Sequence, residues 1–75
     1  MSKITYQVVE VCDGNLHACA DFEGEELDEA LLSDDADTRA REVKALSDAI
    51  ASFDGTYEEA YDLFTAWIDK IEAGV

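Results

Sequence analysis

The residues of this chain best placed to do chemistry are its carboxylates. Nine fall between positions 21 and 37: Asp21, Glu23, Glu25, Glu26, Asp28, Glu29, Asp34, Asp35 and Asp37, with no Lys or Arg among them. A second group, Glu58, Glu59 and Asp62, opens a stretch with helical rhythm. Carboxylates in such numbers can ligate a metal, act as acid and base, or present negative charge to a cation. Metal binding fits poorly. An EF-hand loop needs alternating acids, a central glycine and a closing glutamate. Asp35-Ala36-Asp37-Thr38-Arg39 supplies two acids and then an arginine, and Asp21-Phe22-Glu23-Gly24-Glu25 is incomplete in the same way.

The remaining reactive residues do not build a centre either. Cys12, His17 and Cys19 offer three zinc ligands where a structural site uses four. A nucleophilic cysteine needs a positioned base and a lowered pKa, whereas His17 is the single histidine and the local field is negative. Paired carboxylates of the glycosidase kind need a walled cleft, for which so short a chain has little room. The expectation is therefore no enzyme, no cofactor and no metal. In charge and length the chain is similar to acyl carrier proteins. Those are all-helical and carry an Asp-Ser-Leu attachment motif, where Leu46-Ser47-Asp48 runs the other way.

Presentation of charge is the remaining use. The chain holds 19 acids against 5 Lys plus Arg, for a formal charge of −14. Like charges three or four residues apart on a helix are mildly destabilising, so their retention points to an offsetting benefit. One such benefit is imitation of a phosphate backbone. Duplex DNA carries one charge per about 1.7 Å, so fourteen charges match about 24 Å of duplex. A helix of about 18 residues is about 27 Å long. The competing reading is a solvated face with local neutralisation, through Asp35 to Arg39, Asp37 to Arg41 and Lys44 to Asp48, each at i, i+4.

With its small size, its charge of −14, the 21–37 run and the Glu58-Glu59-Asp62 cluster, the chain resembles small acidic phage-type inhibitors of host defence, anti-CRISPR and anti-restriction proteins among them. The resemblance covers the whole chain in character and rests on no single motif. It implies a non-enzymatic inhibitor that occludes a basic, nucleic-acid-binding surface of a CRISPR or restriction effector complex. The twelve carboxylates named above would then be the partner-binding residues. Direct binding to nucleic acid or to an anionic membrane is not expected of so acidic a surface. The alternative is a phage or bacterial structural or assembly protein that holds a partner through an apolar helix hairpin, with Trp67, Phe64 or Leu31 as anchors.

These residues must be positioned by regular elements. With 48% hydrophobic residues in periodic order, the chain reads as one folded domain over 1–75. Two cysteines, no long apolar run and no signal-type N-terminus lead to the expectation of a reduced protein in the bacterial cytoplasm. Residues 3–12 and 16–22 read as strands around Asp13-Gly14, a hairpin signal. A two-residue turn there would set Val9 and Val11 on the inner face; a three-residue turn would set Tyr6 and Val8 there. Residues 23–35 form an acidic connection whose Leu27, Ala30 and Leu31 suit either a helical turn or a third short strand. A helix follows from about Asp35 to Ser52, with an apolar stripe at 36, 40, 43, 46, 50 and 53. Thr56-Tyr57-Glu58-Glu59 has the form of a capping box, opening a second helix to about Ala73 with Gly74 beyond. The class is α+β: an antiparallel hairpin packed in two layers against an antiparallel helix hairpin. Apolar surface beyond what two strands can cover would serve a homodimer interface or a target anchor.

Overall fold

The computed structural model describes residues 3–11 and 14–73, and they fold as three strands followed by two helices. The strands are β1 (Ile4–Glu10), β2 (Leu16–Phe22) and β3 (Glu25–Leu31); the helices are α1 (Ala36–Ala51) and α2 (Tyr57–Glu72). The sheet is antiparallel in the order β1-β2-β3, so β1 and β3 are its edges. The fold is the expected two-layer α+β arrangement. Residues 25–31 take the third-strand alternative.

Cys12 and Asp13, half of the expected hairpin signal, lie outside the described residues, as does Gly74. The register around them is nonetheless fixed. Val11 N–H donates to the Asn15 carbonyl at 2.8 Å, and Glu10 pairs with Leu16, leaving a three-residue turn. Ile4, Tyr6 and Val8 therefore stand opposite Phe22, Ala20 and Ala18 on the inner face. The tightest turn lies elsewhere. Phe22 pairs with Glu25 across Glu23 and Gly24, whose φ values are +51° and +87°. Positive φ at both central residues is the type I′ pattern that matches strand twist, and only glycine adopts it freely.

Small residues at the sheet centre let the helices come close. Ala18 and Ala20 are fully buried, Ala30 nearly so, and Phe64, Leu46 and Trp67 fill the space above them. α2 contributes Ala60, Phe64, Trp67 and Ile71, a repeat of three and four that puts one face on the core. The Trp67 indole N–H also donates to the Glu42 carbonyl at 2.8 Å, tying the two helices together. Phe22 makes edge-on contacts with Phe53 and Tyr57, closing the end of the core beside the interhelix turn.

The first helix departs from its expected stripe. Leu46 and Ile50 are buried and Val43 and Phe53 half-buried, but Ala36 and Ala40 are exposed and Glu42 is buried instead. The reason is a polar tie. Glu42 Oε1 accepts the Ser33 backbone N–H at 2.9 Å, holding the β3–α1 connection and turning that flank of α1 inward. Ala36 and Ala40 are left on the β1 side, where the sheet does not reach over them.

Both helices are capped as their sequences ask. Asp35 accepts from the Thr38 N–H and hydroxyl, each at 2.8 Å, and these bonds, with Arg41 and Arg39 nearby, hold its carboxyl below the usual range. Thr56 and Glu59 complete the capping box at α2. Thr56→Ala removes the acceptor for the Glu59 N–H and should lower unfolding free energy by about 1 kcal/mol in a urea titration. Thr56→Asn, which restores an acceptor, should recover most of that loss.

Candidate functional site, a carboxylate belt on β3 and α2

The belt begins at the strand register. α2 runs alongside β3 in the same direction. At one end the Tyr57 hydroxyl donates to the Glu26 carbonyl at 2.8 Å; at the other, Ile68, Ile71 and Glu72 share a cleft with Glu29, Ala30 and Leu31. The two most acidic elements are thereby placed side by side. β3 offers Glu25, Glu26, Asp28 and Glu29. α2 offers Glu58, Asp62, Asp69 and Glu72, all exposed, on the side opposite its buried stripe, away from the sheet. Glu25 and Asp28 point to the helix side of β3, while Glu26 and Glu29, in register with Asp21 and Cys19, point from the opposite, open face. From Glu58 to Glu72 the helix rises about 21 Å.

On the sheet's open face the acids crowd further. Asp21 stands directly across from Glu26, a like-charge pair that disfavours the strand pairing. Asp21, Glu26 and Glu29 all act on Cys19, whose thiol is pushed above its ordinary value by burial first and by the Glu29 carboxylate second. Its Sγ lies 3.7 Å from Glu29 Oε2, and His17 Nδ1 lies 3.9 Å from the same oxygen. The His17 contact is too long for a hydrogen bond, and Nδ1 is otherwise without a hydrogen-bond partner. A protonated thiol beside a carboxylate is the reverse of an activated nucleophile. At neutral pH, iodoacetamide should modify Cys19 severalfold more slowly than an unhindered cysteine, and Glu29→Gln should speed the reaction; mass spectrometry reads both.

The twelve carboxylates named from the sequence divide by position and by task. Glu25, Glu26, Glu58 and Asp62 are exposed, and their side chains form no hydrogen bond or ion pair among the described residues. Asp21 is half-buried on the open face. Glu23 pairs with Lys3 at 3.1 Å and Glu29 sits by His17. Asp28 accepts the Glu29 N–H at 2.8 Å. Asp35 and Glu59 serve as caps, which takes them from the partner-facing set into the scaffold. Asp34 and Asp37 lie at the start of α1, across the cleft that Leu32, Ser33 and Thr38 share with Ile71 and Glu72. Asp69 and Glu72 were missed, although the spacing 58, 62, 69, 72 was there to read.

Local neutralisation is slight. Of the three expected i, i+4 pairs only Lys44–Asp48 closes, at 2.9 Å. Arg39 Nη1 donates instead to the Ser33 and Asp34 carbonyls, at 3.1 and 3.4 Å, and among the described residues no ion pair joins Asp35 to Arg39 or Asp37 to Arg41. Two cations of α1, Arg39 and Lys44, line the groove on the β1 side, away from the belt.

One aromatic feature interrupts the acids. Tyr57 and Tyr61 flank a shallow cleft with Glu58 and Asp62, and Tyr61 is 41% exposed. A guanidinium laid on such a ring meets the negative face of the aromatic and two carboxylates at once. The other aromatics are not available. Phe64 is fully buried and Trp67 is 4% exposed, so neither is the surface anchor that the helix-hairpin alternative assigned to them; only Leu31, 59% exposed, is accessible from that set.

No group of three or more His, Cys, Asp or Glu side chains suited to a metal ion occurs among the described residues. No helix among them is long and apolar enough to cross a membrane. Comparison with protein families, characterised proteins and solved structures finds no match to this chain.

Proposed function

We propose that this protein is a non-enzymatic inhibitor whose carboxylate belt occupies a basic, nucleic-acid-binding surface of a bacterial host-defence complex of the CRISPR or restriction kind. The observation that supports this reading is the concentration of unneutralised acids on β3 and α2, kept despite the opposed pair Asp21 and Glu26. Apart from the capping Glu59 and from Glu26 and Glu29 on the open face of the sheet, the two elements hold six carboxylates along about 21 Å, against about twelve phosphates for the same length of duplex. That is about half of the DNA density, on the side that would engage a groove lined with Lys and Arg. Tyr61 adds a ring on which one arginine of the partner can lie. The complex forms in the bacterial cytoplasm and excludes the nucleic acid that the partner would otherwise hold.

The test is retention. Immobilised protein incubated with a lysate of cells bearing such systems should hold back a DNA- or RNA-guided effector or a restriction enzyme. Added duplex or guide-matched DNA should release it. Retention unaffected by any nucleic acid would argue against occlusion.

A further inference from the structure

One carboxylate of this chain stands apart from the surface acids. Glu42 is 5% exposed and is the one buried charged side chain among the described residues. Its Oε1 accepts the Ser33 backbone N–H, while its Oε2 has no hydrogen-bond partner among them. No cation of the chain closes on it. Arg39 donates to the Ser33 and Asp34 carbonyls, Lys3 and Lys44 pair with Glu23 and Asp48, Arg41 is exposed, and Lys70 lies in the groove between the helices with Ala45 and Ala49. A carboxylate withdrawn from water with one hydrogen bond and no counter-charge costs free energy. The fold keeps it there, although a glutamine would hold the Ser33 N–H without that cost.

The oxygen left over opens into a cleft of ≈ 370 Å³ that Glu42 lines with Leu31, Leu32, Thr38, Ile71 and Glu72. Leu32 and Ile71 are buried at its base, and Leu31 and Glu72 are exposed at its mouth. The cleft lies at the C-terminal end of α2, whose last carbonyls add partial negative charge. The N-terminus of α1, which brings Thr38 to the opposite wall, is already answered by the Asp35 carboxylate. We propose that this cleft receives a lysine side chain projecting from a partner protein, its methylene stem along Leu31 and Ile71 and its ammonium on Glu42 Oε2. Glu72, exposed and without an ion pair, is free to close over it. Charge and shape select this occupant. A long apolar stem ending in a cation matches apolar walls above an acidic floor, whereas an anion meets two carboxylates. Arginine fits less well: its fork bonds a carboxylate through both oxygens, and Ser33 already holds Oε1. An ammonium is a point charge that one oxygen from each of two carboxylates satisfies. The site stands on Glu42 and its cleft, so it goes beyond the belt and holds for a basic partner of any kind.

Titration of the full chain with Nα-acetyl-lysine methylamide, followed by NMR at physiological salt, tests this. Saturable shifts are expected at the Ser33 amide and at the Leu31, Leu32 and Ile71 methyls, with a Kd of about millimolar order. The norleucine analogue, which keeps the stem and lacks the charge, should shift none of them, and the arginine analogue should bind severalfold more weakly. Glu42→Gln keeps an acceptor for the Ser33 N–H and should weaken lysine binding by about tenfold or more. Asp62→Asn, on the belt, should leave it within about twofold. A Ser33 amide that does not shift overturns the proposal, as do norleucine or arginine analogues that bind like lysine, or a folded Glu42→Gln that binds like the parent. So would calcium chloride or the free diamine cadaverine giving the same shifts at about tenfold lower concentration, which would make the occupant a metal ion or a small amine. None of these outcomes bears on retention of a nucleic-acid-binding complex, so failure of either idea leaves the other readable.

Discussion

Replacing Glu25, Asp62 and Asp69 with Lys should weaken capture of a basic target by about 10²- to 10⁴-fold. Each reversal removes an attraction and adds a repulsion, about 1 to 2 kcal/mol at a partly screened interface. The three residues span β3 and α2, and none of their side chains makes a bond inside the fold. Asp28 and Glu29 are poorer choices, since one holds a backbone N–H and the other lies against His17 and Cys19. The control is a second triple, Glu10, Asp48 and Asp54 to Lys, which changes net charge equally but lies off the belt. It should cost less than about tenfold, the residue of long-range steering. Equal losses from both triples would mean that bulk charge, not a surface, is being read.

Trp67→Ala should bring the domain close to unfolding at room temperature. Truncating a buried Trp costs about 3–5 kcal/mol, and the lost indole bond to the Glu42 carbonyl adds about 1 kcal/mol. A chain of this length has in all about 4–11 kcal/mol to lose. The self-repulsion of −14 places it toward the lower part of that range. Trp67→Phe keeps the ring and gives up the bond, so its loss should be nearer 1–2 kcal/mol. Urea titration followed by far-ultraviolet circular dichroism separates the two. If Trp67→Ala left stability unchanged while abolishing target capture, Trp67 would be a surface anchor and its placement in the core would be wrong.

The parts of the fold that could be read from sequence are those decided locally. Strand β2 alternates Leu16, Ala18, Ala20 and Phe22, and its bounds come out as expected. The capping box at Thr56 and Glu59 and the helix extents follow from short-range hydrogen bonding. Three features could not be read this way. The β1 register hangs on turn length, which the composition of 12–15 leaves open and which one residue would invert. The I′ turn at Glu23-Gly24 was hidden because glutamate, unlike asparagine or aspartate, is a poor residue at positive φ. The inward turn of Glu42 depends on Ser33, nine positions away, and no periodicity announces it.

The candidate site shows the same division. Which acids cluster along the chain was plain, but the stretch from Asp21 to Glu29 divides between the two faces of the sheet, a matter of register across the shift at Ala20 and Asp21. Which of them are spent as caps, Asp35 and Glu59, required knowing where the helices begin. That β3 and α2 run side by side is a tertiary fact, fixed by Tyr57 on the Glu26 carbonyl and by the packing of Ile68 and Ile71. It joins Asp69 and Glu72, distant in sequence, to the run at 25–29.

The proposed function depends on side-chain anions standing where a partner expects phosphates. The most direct test is the affinity for a retained target measured against sodium chloride, with duplex DNA as competitor. About six phosphate-like contacts should lower affinity by about 10³-fold between about 50 and 200 mM salt, and DNA should displace the protein one for one. An affinity flat across that salt range, or a ternary complex holding the protein and DNA together, would contradict it.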